Sequence, residues 1–442
     1  MRQIHRVAFA CVSLMLILAA CGGSSSDADS AGTAARATST TVAATTSTTA
    51  EGATTTVAPT TAAPTTTAAP APTAIEVAEA VELTRPAEGT IADTHWAEAV
   101  ASFEQYVLER DIGAAVLAIA VDGEPVVEVA LGWSDLERTQ PLHVDSSFRV
   151  ASVTKPFTRA LALRLASEGR IDLDSQVICT PDTREDCIVD VVAQSEAAGR
   201  TVNEQLSQIT LRQLLDHTAG FDRDLSFDPM FAPLLVAADM GLDGLPDEAD
   251  MVAWALAEPL PHAPGDVYSY SNLGYLIAGL AIETHTGTSY IDLLHDYLGV
   301  SDDIVLGSTL PTQRQPGEVQ YGCNEGLFLN VFDLDGPEVC WPDGGFNLEA
   351  MTAHGRLVAP ASAVLDFLAA YCTDGVPNDG FCDGWHDGSL PGTYAIARNF
   401  GRIDYVVLLN ERTDPNQTTY GFVDLVAEID AWVTQVVPDP FT

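Results

Sequence analysis

Ser152 and Lys155 stand three residues apart in Ala151-Ser152-Val153-Thr154-Lys155-Pro156-Phe157, where an apolar-faced segment begins. Pro156 fits a helix only within the first turn, where its missing N–H costs nothing, so the spacing predicts a helix starting here. Residues three apart share a helix face with Cβ atoms roughly 5–6 Å apart, which brings the lysine amine to the serine hydroxyl. An amine beside a hydroxyl is a base beside a nucleophile. The amine accepts a proton only when neutral, so burial and the positive end of the helix dipole must lower its pKa from about 10.4. Ser-x-x-Lys alone is short enough to arise by chance. Composition sets this one apart: among the 20 basic side chains of the 442-residue sequence, Lys155 is the sole lysine. Arginine supplies surface charge but is not deprotonated in proteins, so lysine is kept where a titratable amine is needed.

Two further clusters offer complementary chemistry. The stretch from Pro264 to Tyr275 ends a loop and opens a helix, and it presents a phenol, a hydroxyl and an amide at Tyr270, Ser271 and Asn272. A phenol can relay a proton and an amide can hydrogen-bond a substrate amide. His386-Asp387-Gly388-Ser389 precedes a late strand, where a glycine lets backbone approach a ligand closely. In the order Ser-x-x-Lys, Tyr-x-Asn, His-x-Gly, these clusters resemble the serine β-lactamase and penicillin-binding-protein superfamily. The branch they resemble is the β-lactamase-related one, with class C β-lactamases, D-alanyl-D-alanine carboxypeptidases and esterases. Phe148 to Phe157 is similar to that family's nucleophile segment, and Ile209 to Gly220 resembles its helix ending in His-Thr-Ser-Gly. The resemblance runs from Gly113 to Asn410.

The resemblance implies an acyl-enzyme mechanism without a cofactor or metal. Ser152 would attack a carbonyl, Lys155 and Tyr270 would share general-base and relay work, and Asn272 would orient the acyl side chain. The backbone N–H groups of Ser152 and Ser389 would form the oxyanion hole beside Gly388, with His386 lining the cleft. His217 matches a family position that reads as structural. Many β-lactamases carry Lys-Thr-Gly at the third motif, where the cation favours the drug's carboxylate, and here His386 takes that place. This shifts the expectation toward a small-molecule or peptide substrate, such as a cell-wall D-amino-acid peptide, or an ester. A true β-lactamase, or a catalytically idle binding protein of the same fold, remains the alternative. The inserted stretches Cys179–Ser207 and Pro311–Asp343 exceed the core pattern and would reshape the cleft.

The positioning elements follow from periodicity. Ala114 to Val121 is a buried-strand run, Asp122-Gly123 a hairpin turn, and Pro125 to Trp133 the returning strand, so a meander opens the domain. Helical patterns occupy Phe157–Ser167, Leu211–Asp216, Leu273–Thr284 and Ser362–Tyr371. Tyr394–Arg398 and Asp404–Leu409 read as strands, and a last helix covers Phe422–Val436. The fold class expected is α/β of the α+β type: one antiparallel sheet completed by both termini, flanked by helices, with an inserted helical lobe.

Residues 1–21 read as a lipoprotein signal peptide, with Arg2 and Arg6 before an apolar run and Leu18-Ala19-Ala20-Cys21 resembling a bacterial lipobox, so Cys21 is the lipidation candidate. Residues 22–75 are a Thr/Ala/Pro-rich linker unable to bury enough surface to fold, and 76–442 form the hydrolase domain. An extracytoplasmic, lipid-anchored placement follows. Six cysteines remain, and their grouping favours the local pairs Cys179 with Cys187, Cys323 with Cys340, and Cys372 with Cys382. No Cys-x-x-Cys or His-Glu-x-x-His spacing supports zinc, and Asp333-Leu334-Asp335-Gly336 lacks the spacing of an EF-hand. With 62 acidic side chains and a net charge of −42, the chain repels nucleic acid, and membrane association is expected through the lipid anchor only.

Lys155→Arg keeps the charge and removes the base. Turnover of any substrate found for the wild type is expected to fall about 10²- to 10⁴-fold, and near-normal kcat would contradict the role given to the amine.

Overall fold

The computed structural model describes residues 74–184, 187–226, 228–414 and 421–442. The signal segment with Cys21, and the linker up to Thr73, lie outside the described residues. The main sheet has seven strands: β1 (Ile75–Glu76), β2 (Ala87–Ile91), β3 (Ala114–Val121), β4 (Glu124–Gly132), β5 (Asp383–Leu390), β6 (Thr393–Phe400) and β7 (Ile403–Leu409). Their order is β1-β2-β4-β3-β7-β6-β5, and every neighbouring pair is antiparallel. The early and late parts of the chain thus join where β3 pairs with β7, Ala115 opposite Leu409. Asp122 and Gly123 both take positive φ, 53° and 78°, as the tight β3–β4 turn requires.

The uninterrupted apolar run of β3 is explained by burial on both faces. Val116, Ala118 and Ala120 point into one core, and Ala115, Leu117 and Ile119 into another. The second core lies beneath α1 (Ala97–Glu109) and α7 (Asp424–Val436). The first is shared with a helical region that includes α2 (Thr154–Ser167), α3 (Leu211–Leu215), α4 (Asn272–Thr286), α5 (Thr352–Gly355) and α6 (Ala361–Ala370). This is the antiparallel sheet completed from both ends of the domain and flanked by helices.

Two sequence expectations are corrected. The meander does not open the domain, because β1, β2 and α1 precede it. β2, Ala-Glu-Gly-Thr-Ile, has few β-formers, and Gly89 is needed because a Cβ there would overlap the Glu128 carbonyl of β4. The third motif does not precede a late strand but lies inside one: His386, Gly388 and Ser389 belong to β5. As the outermost strand β5 has ladder partners on one side only, which tolerates its polar composition.

The six cysteines form the three local pairs Cys179–Cys187, Cys323–Cys340 and Cys372–Cys382. Cys340 also belongs to a short ribbon in the Pro311–Asp343 insertion, Leu327–Phe328 against Val339–Cys340. The helix carrying Lys155 is fixed from within. Phe157, five residues past Ser152, is fully buried and stacks on Phe367 of α6 with ring centroids 3.8 Å apart. Phe157→Ala leaves a ring-sized cavity beside the motif and should cost about 3–5 kcal/mol in urea unfolding; a cost below about 1 kcal/mol would show that α2 is held by other contacts.

Candidate active site

The backbone reaches α2 through a 3₁₀ turn, Ala151–Val153, and Ala151 takes a φ of 49°, a left-handed value that alanine rarely adopts. The turn leaves Ser152 partly exposed while the next residues go under cover. Lys155 is only 1% exposed, and Pro156 is the third residue of α2, inside the first turn as its chemistry demands. Lys155 Nζ lies 3.0 Å from Ser152 Oγ, 2.7 Å from Asn272 Oδ1 and 3.0 Å from the carbonyl oxygen of His354 in α5. Burial drives the amine well below its ordinary pKa; the nearby charges of Asp228 and Asp387 pull it back up, and Arg223 pushes it down.

The second motif is organised around a helix cap. Ser271 is the N-cap of α4, its Oγ accepting from the Gly274 N–H at 2.9 Å, so the hydroxyl serves the helix. Its two neighbours reach the site from either side. The Tyr270 phenol lies beside Ser152, and burial holds it far above its usual pKa, so it stays protonated. Asn272 accepts from Lys155 through Oδ1 and donates through Nδ2 to Asp228 Oδ2 at 2.7 Å. The sequence pointed this amide toward substrate; in the structure it joins Lys155 to a buried acid.

His217 shapes the loop that carries Tyr270. Its carbonyl accepts from the Ser269 N–H at 2.8 Å, and its Nδ1 accepts from the Ser271 N–H at 3.1 Å. The His217 ring stacks on Tyr270 with centroids 4.6 Å apart. Accepting at Nδ1 requires the neutral ring, and burial, helped by Lys155, lowers its pKa to about 3.

β5 brings the third motif against the turn that carries Ser152. A Cβ on Gly388 would overlap the Val150 carbonyl oxygen and come within 3.1 Å of the Ser152 nitrogen, so only glycine permits this approach. Ser389 follows it, paired with Tyr394 of β6. The His386 ring is 6.5 Å from Tyr270, and its Nδ1–H donates to the Asp387 carbonyl at 2.8 Å, leaving Nε2 as the lone-pair acceptor. Burial and Lys155 lower its pKa to about 4, so His386 is neutral at physiological pH and does not replace a lysine as a cation.

Three participants were not identified from sequence. Asp228 is buried, the His354 carbonyl holds the amine, and Arg223 in Arg223–Ser226 places its guanidinium 4.7 Å from the Tyr270 ring centroid. None belongs to a motif with fixed spacing. The nearest available signal was the position of Asp228 and Arg223 in the loop after the His217 turn. Among the described residues, no three His, Cys, Asp or Glu side chains are grouped as a metal site.

A model of the family described as Beta-lactamase matches residues 97–369. Penicillin-binding protein 4 of Amycolatopsis lactamdurans is 28% identical over 286 residues, covering 65% of this chain and 65% of that protein. Esterase EstB of Burkholderia gladioli is 31% identical over 289 residues, covering 64% of this chain and 66% of the esterase. Two Dichelobacter nodosus chains named for fimbrial assembly also match, over 52% and 42% of their own length, so the chain spans about half of those relatives. Among solved structures, D-amino acid amidase of Ochrobactrum anthropi superposes with a TM-score of 0.56 at 19% identity, covering 77% of this chain and 99% of the amidase. The penicillin-binding protein homologue of Pyrococcus abyssi gives a TM-score of 0.52 at 18% identity, covering 78% of each chain. The two structures share the β-lactamase/transpeptidase-like fold.

The contact at Gly388 yields a direct test. Gly388→Ala must push β5 away from Ser152 and should lower kcat/KM about 10²-fold or more, with the far-UV circular dichroism spectrum retained. Activity within about threefold of wild type would show that this approach is not needed.

Proposed function

The chain belongs to the beta-lactamase family, and from that premise we propose that it is a serine hydrolase working through an acyl-enzyme on Ser152. The observation that carries this reading is the 3.0 Å contact between Ser152 Oγ and an amine that is 1% exposed. A neutral Lys155 takes the Ser152 proton as Oγ adds to the substrate carbonyl carbon, and the carbonyl π electrons move to oxygen. In this reading the backbone N–H groups of Ser152 and Ser389 hold that oxyanion. Ser389 is two residues along edge strand β5 from Asp387, whose carbonyl meets the His386 ring, and residues two apart in a strand turn their backbone groups to the same side. When the intermediate collapses, the bond to the leaving group breaks and the Tyr270 phenol, beside Ser152, passes it a proton that Lys155 restores. Water then attacks the ester at Ser152 with the same groups accepting its proton, releasing the acid and regenerating the hydroxyl.

The substrate class we propose is a D-amino-acid peptide, cleaved as a D-alanyl-D-alanine carboxypeptidase would, or an ester. The likeness to a penicillin-binding protein and to an esterase supports both, and neutral His386 at the third motif disfavours recognition of a drug carboxylate by charge. We place the enzyme outside the cytoplasm, anchored by lipid at Cys21. Three disulfides support an oxidising compartment, and among the described residues no helix is long and apolar enough to cross a membrane.

A fluorophosphonate or penicillin probe should label the wild type covalently, and labelling should vanish in Ser152→Ala. An unlabelled, folded wild type would overturn the acyl-enzyme and favour a binding protein. On a panel of D-Ala-D-Ala peptides, esters and cephalosporins, kcat/KM should be highest for a peptide or an ester; a preference for cephalosporins would reverse the substrate assignment.

A further inference from the structure

Lys155 Nζ has three acceptors around it: Ser152 Oγ, Asn272 Oδ1 and the His354 carbonyl. An ammonium fills all three with its three N–H bonds. A neutral amine has two N–H bonds and one lone pair, so with its hydrogens on Asn272 and His354 the lone pair is aimed at the Ser152 hydroxyl. This arrangement holds only while Asn272 shows its oxygen to the amine. A flipped amide would point an N–H donor at Lys155, compete with Ser152 for the lone pair and remove one of the two anchors.

The group that sets the flip lies on the far side of Asn272. Asp228 accepts from Nδ2 at 2.7 Å, is 6% exposed, and as a carboxylate can only accept. Resting on the acyl-enzyme reading above, we infer that Asp228 is a positioning residue for the proton acceptor: it fixes the Asn272 amide with its oxygen toward Lys155 and places a buried negative charge one amide away from the amine.

Charge and orientation act in opposite directions on the base, and the balance is local. Lys155 faces Ser152 and the rings of Tyr270 and Tyr275 at 4.9 and 5.8 Å. The charged groups acting on it are Asp228 and Asp387, which favour the ammonium, and Arg223, which opposes it. His217, His354 and His386 all feel the Lys155 charge and are driven below their ordinary pKa by burial. The pKa of Asp228 itself is raised, burial outweighing the opposite pull of Asn272, Arg223, Lys155 and the Leu273 backbone N–H. Removing its charge takes away support for the ammonium, so the amine must lose its proton at lower pH.

The test is the rate of covalent labelling by a fluorophosphonate probe as a function of pH, in the full chain and in Asp228→Asn, with folding checked by circular dichroism. In Asp228→Asn the acidic limb of the rate profile should move down by about one pH unit, since the opposing charge is gone. Its plateau should drop about 10- to 100-fold, since an amide at position 228 no longer dictates the flip. Asp228→Glu, which keeps the charge, should retain the wild-type limb. If Asp228→Asn does not fold, Asp228→Ser removes the same charge and is read in the same way. An acidic limb at the wild-type pH in the charge-removing variant, whatever the plateau, would overturn the inference and leave Asp228 as a packing group. Absence of labelling in the wild type would instead overturn the acyl-enzyme reading, so the two failures are distinguishable.

Discussion

The site depends on keeping one amine out of water without giving it a carboxylate in direct contact. A lysine touching an acid would be held as an ammonium, and a lysine in solvent would stay near its ordinary pKa. Lys155 meets neither condition: it is 1% exposed, its direct hydrogen-bond partners are a hydroxyl, an amide oxygen and a backbone carbonyl, and Asp228 lies beyond Asn272. The net charge of −42 works against a neutral amine, but ions screen charges beyond about 8 Å, which leaves burial and the few local groups to decide.

The fold meets this constraint by converging distant segments on one turn. The 3₁₀ turn before α2 brings Ser152, the first turn of α2 brings Lys155, the N-terminal end of α4 brings Tyr270 and Asn272, α5 gives the His354 carbonyl, and β5 closes against the turn through Gly388. Rigidity comes from the sheet and its two cores rather than from the loops. The strained backbone at Ala151 is held between the packed helix and β5, so Ser152 stands partly outside the cover while Lys155 stays beneath it. The loop with Tyr270 is tied to His217 by backbone N–H groups, which orients the phenol without using its hydroxyl.

What could be read in the sequence was local. The central hairpin, α2 and α4 announce themselves through period, turn residues and caps, and the cysteine pairs close short loops, so each appears close to where spacing put it. Ser152, Lys155, Tyr270 and Asn272 were legible because each motif spans only a few residues. β2 and β5 were hidden because one carries a glycine required by close backbone approach and the other is a polar edge strand. Asp228 was hidden for another reason: among 62 acidic side chains nothing local marks the one that lies buried against Asn272. The same limit explains Asn272, whose position could be read but whose partners exist only after folding.

Because Lys155 is the only lysine in the chain, its ionisation can be observed without interference. Protein labelled with [13Cε]-lysine should give one side-chain resonance that titrates well below the ordinary lysine value of about 10.4. A resonance that titrates near the ordinary value would mean that Lys155 is a fixed cation, and the role given to it as the proton acceptor from Ser152 would be wrong.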